Sequence, residues 1–323
     1  MSTGEMVKFV ECTKEDYDRL ETKEDNALYF TDEGNLYKGT TSYGSINLNH
    51  NISRLVPKDI TAYYKDGSLW DRLNGTNGYK LYDDIFVGDY FQMSRAISAY
   101  NQDQTYQKTG SDWVTIAGID TMWGNGDNIT MAYHHLVMVP GKGFDGTQHF
   151  GQSRMNPSNT TEGGYAGSEM HTTTIGAVVT EGSTATTATI NQQLYAEFGS
   201  HLKTTRELLS NNINATGSNR WGTDSGCSNN WAWYDCQAVL MSEVEVYGSI
   251  VWASSGFDIG NANVQLPLFA NNISALNNRG RWYWFKSIAS ATNFCDSGNY
   301  GASGSDSAAE AYGGVRPRFV IAA

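Results

Sequence analysis

The stretch from Arg281 to Ile321, RWYWFKSIASATNFCDSGNYGASGSDSAAEAYGGVRPRFVI, constrains this 323-residue chain more than any other. It opens on an aromatic block (Trp282, Tyr283, Trp284, Phe285) and closes on an apolar, β-branched one (Val315, Phe319, Val320, Ile321). Blocks of that composition read as strands, expected over residues 282–288 and 315–321. Between them Ser, Ala, Gly, Asn, Asp and Tyr dominate, the mixture of adaptable hydrogen bonding and rigid aromatic contact that binding loops use. A loop of such length inside a compact domain is usually functional or disordered. The expectation is therefore two apolar anchors holding up a ligand-contacting loop over residues 293–312. Asn293, Asp296, Asn299, Tyr300, Ser303, Ser305, Asp306, Ser307 and Tyr312 would supply the contacts, on a backbone loosened by Gly298, Gly301 and Gly304. A polar loop with no partner is the alternative.

Composition narrows the ligand. Only 17% of residues are charged, 12% are aromatic, and there are 9 Trp, 19 Tyr and 34 Gly, which reads as a loop-rich protein containing β-structure and surface aromatics. The net charge of -12 repels phosphate backbones and anionic membranes, so nucleic acid is excluded as a partner on charge and neutral or basic partners, glycans or proteins, are expected. The beginning MSTGEMVKFVECTKEDY has no basic and apolar leader pattern, and no segment approaches a membrane span, so a soluble protein made in the cytosol, without membrane insertion, is expected. Cys12, Cys227, Cys236 and Cys295 are scattered, without CxxC or zinc-finger spacing. Buried reduced thiols are expected, with a Cys227–Cys236 bridge left open for an oxidising exterior.

Residues 1–40 hold ten of the 34 acids. Lys8 to Cys12 reads as a strand, Thr13 as a helix N-cap with Asp16 three residues on, and Ala27–Thr31 with Leu36–Lys38 as a hairpin about an Asp32-Glu-Gly-Asn turn. This β-α-β-β unit has too few apolar residues to stand alone. Residues 41–80, rich in Asn and Gly, read as a linker. From Leu81 the signal is globular, with strands at 85–91, 113–120 and 132–140. Helical spacing follows at 167–171 and over 188–198, with an amphipathic turn over 204–209. The longest strand-like run covers Trp231 to Gly248, and Gln265-Leu-Pro-Leu-Phe precedes the terminal stretch.

Catalytic readings are weak. His134 and His135 are adjacent and on a strand face opposite ways, one to the core and one outward, which disfavours a shared metal; His149 and His171 could join them only through the fold. Asp224, Glu243 and Glu245 could form a carboxylate pair, but Glu243 and Glu245 alternating with Val244 and Val246 read as a solvated strand face. No GxSxG or GxxxxGK[ST] phosphate loop occurs, and Gly124-Asn-Gly-Asp-Asn is a turn without the later acid of a calcium loop. The expectation is a protein that is not an enzyme, with no cofactor and no metal.

Two resemblances add to this. FVECTKEDYDRLETKEDNALYFTDEGNLYKGT resembles the N-terminal module of phage head-fibre and tail-fibre proteins, which implies attachment to other virion proteins, or oligomerisation, through residues 1–40. ITMAYHHLVMVPG, EGGYAGSEM, VLMSEVEVYGS, QLPLF, RWYWFKSIAS and GVRPRFVI, taken in order, resemble the C-type-lectin-like domains of Gram-positive phage surface proteins. That likeness covers residues 81–323. It implies an α+β fold of small twisted antiparallel sheets with two helices, N- and C-terminal strands close together, and ligand contact from long loops. The calcium ligands of the sugar-binding branch, Glu-Pro-Asn or Gln-Pro-Asp and Trp-Asn-Asp, are absent, so any glycan contact would be calcium-free, through exposed Trp and Tyr; Trp231, Trp233, Trp282 and Trp284 are core or platform. The function implied is a phage fibre protein, a homotrimer, binding a glycan or protein of the bacterial host surface. A capsid or tail decoration protein and a fibre-associated cell-wall hydrolase are the alternatives. Similar phage proteins are targets of diversity-generating retroelements, which mutate adenines and scatter Ser, Asp, Tyr, Ala and Gly over Asn codons; the residues of the 293–312 loop are read as fitting that set, Glu310 excepted. A second candidate binding loop is 217–230.

Overall fold

The computed structural model describes residues 8–31, 35–45, 51, 53–54, 56–100, 110–127, 131–142, 147–182, 189–211, 213, 231–254, 264–272, 275 and 282–323. These form two compact units, Met1–His50 and Asn51–Ala323. The turn at Asp32–Gly34, Asp224 and the 217–230 loop lie outside the described residues.

The first unit follows its sequence closely. β1 (Lys8–Cys12) leads into α1 (Lys14–Arg19), then β2 (Ala27–Thr31), β3 (Asn35–Lys38) and β4 (Thr41–Ser45), giving a sheet ordered β1-β2-β3-β4. β1 pairs parallel with β2 and the other pairs are antiparallel. Thr13 caps α1, its hydroxyl accepting from the Asp16 amide at 2.9 Å. The core is small, as the composition requires: Tyr17, Ala27 and Tyr29 are buried, and the Tyr17 ring lies 4.1 Å from Tyr37 and 5.3 Å from Tyr29.

The second unit begins well before Leu81, and the linker reading of residues 41–80 is overturned. α2 (Thr61–Lys65) and α3 (Ser68–Asn74) occupy it, and Ile60, Leu69 and Leu73 are fully buried in the main core. Arg54 adds a tie, its Nε 3.1 Å from the buried Asp89 carboxylate. Asn and Gly around these apolar positions obscured their helical spacing. The chain continues through β5 (Tyr90–Gln92), β6 (Trp113–Ile119), β7 (Leu136–Pro140), a π-helical turn (Met170–Ile175), α4 (Ile190–Phe198), β8 (Leu202–Lys203) and β9 (Thr205–Ser210). It then forms β10 (Trp231–Cys236), β11 (Ala238–Leu240), α5 (Glu243–Tyr247), α6 (Pro267–Asn271), β12 (Tyr283–Ile288), β13 (Asn293–Ser297), β14 (Ser303–Ser307) and β15 (Pro317–Ile321).

The largest sheet runs β11-β15-β7-β6-β5, with β8 also on β15, and every pair in it is antiparallel. β9 pairs with β10, and β12-β13-β14 form a third sheet. The class is α+β, built mostly of small antiparallel sheets with few and short helices. Among the described residues this unit has five α-helical segments, not the two expected. β5 and β15 share the central sheet, but β6 and β7 stand between them rather than leaving them side by side.

Two local expectations fail for one reason, a buried acid read as solvent-facing. The 204–209 turn is β9, where Thr205, Glu207 and Leu209 point inward with period two; Glu207 in the middle hides the strand pattern. The run from Trp231 breaks into β10, β11 and α5. Ser242 and Glu245 form a reciprocal capping box that starts the helix, and both glutamates are fully buried, so the solvated strand face assigned to Glu243 and Glu245 does not exist. Both anchor strands of the terminal stretch are confirmed: Trp284, Phe285, Phe319, Val320 and Ile321 are wholly buried.

Candidate ligand platform at the β13–β14 hairpin

The terminal stretch is a hairpin rather than a loop. Asn293 pairs with Ser307, Asp296 with Gly304 and Ser297 with Ser303, and the chain reverses over residues 298–302. Gly301, at φ +91, takes a left-handed conformation suited to glycine and turns the chain, with its amide bonded to the Gly298 carbonyl at 3.1 Å. The glycines therefore shape the backbone rather than loosen it.

Strand alternation splits the nine expected contact residues. Asp296 and Asp306 lie on one face with Phe294 and Gly304; Ser303, Ser305 and Ser307 lie on the other. Asn299 and Tyr300 stand at the tip, and Tyr300 is 89% exposed. Tyr312 is half exposed outside the hairpin, its carbonyl accepting from Gln152 Nε2. Asn293 is occupied by Thr292 and Ser290, and Asp306 accepts from the Ser307 amide. Two residues leave the surface set: Asp296 is only 7% exposed, and the Ser303 hydroxyl donates to Glu243 Oε1 at 2.6 Å.

Glu243 accounts for the part that sequence reasoning missed. Its buried carboxylate accepts the amides of Val251, Trp252 and Ala253 at 2.8–3.2 Å as well as the Ser303 hydroxyl. The segment after α5 is thereby wrapped around one anion, and Trp252 Nε1 donates to the Ser303 carbonyl on the edge of β14 at 3.0 Å. Ile250, Val251 and Trp252 all remain exposed, Trp252 by 54%. Three consecutive exposed apolar residues on a backbone pinned this firmly, next to the hairpin, make a rigid aromatic and aliphatic platform. The sequence signal was there: an Ile-Val-Trp run two residues past Gly248, the αL residue that ends α5. Trp284 is core and Trp231, Trp233 and Trp282 are partly buried; among the described residues the exposed indoles are Trp252 and Trp123.

Asp296 gives the site its unusual electrostatics. Burial, followed by the neighbouring charges of Asp306 and Glu243, pushes its carboxyl up to about 7. On the other side of α5 lies the opposite case. Arg318 bonds both Glu207 and Glu245, and Lys286 Nζ lies 3.4 Å from Glu245 and 3.8 Å from Glu207, all four side chains almost fully buried. Burial alone would raise the Glu207 carboxyl, but Arg318 and Lys286 outweigh it and hold it at about 2. Two acids and two bases leave the cluster neutral, and it joins β9, β12, β15 and α5.

His134 and His135 divide into one outward and one buried residue as expected, but both precede β7 rather than lying on a strand. His135 is buried, its Nε2 accepting the Met122 amide, while half-exposed His134 sets Nδ1 2.9 Å from Asp120. His171 lies apart and partly buried, with Nδ1 enclosed, and desolvation pushes it down to about 4. Among the described residues no cluster of three or more His, Cys, Asp or Glu has metal-binding geometry. Cys236 is a buried free thiol, its pKa raised by burial. No helix of the described residues is long and apolar enough to cross a membrane.

Comparison of the chain with protein-family models, with curated proteins and with solved structures gave no match.

Proposed function

We propose that this chain is a phage virion fibre protein, of head or tail, whose second unit is a C-type-lectin-like domain that binds the bacterial host surface. The observation that carries the reading is the platform: Ile250, Val251 and Trp252 are held open to solvent by the Glu243 carboxylate, next to the exposed tip Tyr300. Exposed aromatics on a fixed backbone lose little conformational entropy on binding, and tip residues such as Asn299 add adaptable polar contacts. The ligand is a surface glycan or protein, neutral or basic, in keeping with the net charge of -12. The first unit attaches to other virion proteins, the protein acts as a homotrimer, and several weak sites reach a useful affinity through avidity. The terminal hairpin serves as the segment that diversity-generating retroelements would alter, and the protein performs no catalysis.

Adsorption of the purified protein to host cells tests this. Wild-type protein should adsorb, and the double change Trp252→Ala with Tyr300→Ala should abolish adsorption while lowering stability by no more than about 1 kcal/mol, the loss of the Trp252–Ser303 hydrogen bond. Adsorption unchanged by the double variant would move the binding face elsewhere, and a wild-type protein that binds no host cell would leave the decoration reading standing. Light scattering should report a trimer; a monomer at micromolar concentration would overturn the avidity argument.

A further inference from the structure

A second concave feature lies on the far side of α5 from the platform. A cleft of about 250 Å³ has Met122, Trp123 and Asn125 on one wall and Glu245, Val264 and Leu266 on the other. Both walls are fixed. The first begins at Asp120, whose φ of +55 is unusual for a residue with a side chain, and whose carboxylate accepts from the Tyr82 hydroxyl at 2.6 Å and the His135 amide at 2.9 Å and contacts His134 Nδ1 at 2.9 Å. His135 in turn takes the Met122 amide at 3.1 Å. The second wall is tied to the helix by the Leu266 amide bonding the Glu245 carbonyl at 2.9 Å.

The open groups in the cleft are those of a polyhydroxyl site. Trp123 is 51% exposed, and its indole N–H has no partner among the described residues. Asn125 gives its Nδ2 to the Arg206 carbonyl at 2.8 Å, which leaves its carbonyl oxygen as an acceptor. Donor, acceptor and aromatic face therefore occur together, with Glu245 on the opposite wall. The Glu245 carboxylate is buried and taken up by Arg318, Lys286 and the Ser242 amide, so it offers a charged ligand no uncompensated partner. The volume falls below the roughly 300–1,000 Å³ of sites for drug-sized ligands, which limits the occupant to about one ring.

We infer that this cleft is a ligand site for one neutral sugar ring, stacked on Trp123 and hydrogen-bonded by its indole N–H and Asn125. The site is separate from the platform and does not depend on its reading. The test is a titration of the full chain with methyl glucoside, methyl galactoside and N-acetylglucosamine, followed by saturation-transfer NMR and Trp fluorescence, with glucosamine and glucuronate as charged controls. At least one neutral sugar should bind saturably in the millimolar range, and Trp123→Ala should weaken it about tenfold, the effect of losing one aromatic stacking face. Trp123→Phe should recover part of that loss, and Trp252→Ala with Tyr300→Ala should leave the Trp123-dependent binding unchanged. The inference is overturned if no neutral sugar saturates, if the charged controls bind equally well, or if Trp123→Ala binds like the wild type. Loss of sugar binding in the platform variant alone would also overturn it, because the ligand would then sit on the platform.

Discussion

β14 and β15 are both five-residue antiparallel strands in the last two dozen residues of the chain, yet they have almost nothing else in common. β15, PRFVI, is buried at every position, pairs with strands on both sides and carries Arg318 inside the neutral cluster of four charges. β14, SGSDS, is a partly exposed edge strand, and Trp252 bonds one of its outward carbonyls. The difference shows that a strand here is held either by burial or by neighbours reaching over it, and that only the second kind is free to face a ligand.

The largest test of that contrast is to break the buried cluster. Arg318→Leu leaves Glu207 and Glu245 buried without their main partner and should cost about 3–5 kcal/mol, a melting loss as large as that of Trp284→Ala or Phe319→Ala. A loss under about 1 kcal/mol would show that water reaches the cluster.

The two regions should also answer pH in opposite senses. Asp296 has a folded pKa near 7, above the ordinary carboxylate value, so the folded state holds its proton more tightly. Its contribution is fully present at low pH and is lost as pH rises from about 4 to 7, on the order of 2–4 kcal/mol in all. Asp296→Asn should therefore flatten that slope and stabilise the protein at pH 8. Glu207, held at about 2, contributes above its ordinary value and loses that contribution as pH falls from about 4 toward 2. Denaturant melts across pH check both signs; an Asp296→Asn slope identical to wild type would remove Asp296 as the cause.

Smaller effects belong to the platform. Glu243→Gln takes away an anionic acceptor of three amides and should cost about 1–3 kcal/mol, with faster amide exchange confined to residues 250–254. Ser305→Ala, which breaks no hydrogen bond of the described residues, should cost under about 0.5 kcal/mol. Equal losses in these two variants would show that the Glu243 wrap is not what fixes the platform.

Much of the fold was legible because apolar residues carry period: β1, β6, β12 and β15 follow their sequence patterns closely. What the sequence hid lies with charged residues that are buried. Glu207 disguised a strand, and Glu245 closes a capping box that had been read as alternation on a strand. Polarity stands for exposure in any sequence pattern, and these acids are inside because Arg318, Lys286 and backbone amides satisfy them. The candidate site was half visible for the same reason. Tyr300 was found from composition, whereas Trp252 depended on which carboxylate the chain after α5 would wrap.

Trp284 has a consequence for how this surface can change over generations. Its indole donates to the Ser153 carbonyl at 2.8 Å, and a methyl group placed on Gly313 would sit 2.1 Å from the same ring nitrogen. Tyr312, next in the chain, is half exposed. A saturation library should therefore accept nearly any side chain at 312 and only glycine at 313. Gly304 adds a second constraint inside β14, where a side chain would meet the Asp296 carboxylate at 2.9 Å, while Ser305 beside it is open to exchange. Variation on this face should be interleaved residue by residue with positions that cannot move, so selection can rewrite the surface while Trp284 and Asp296 keep its frame.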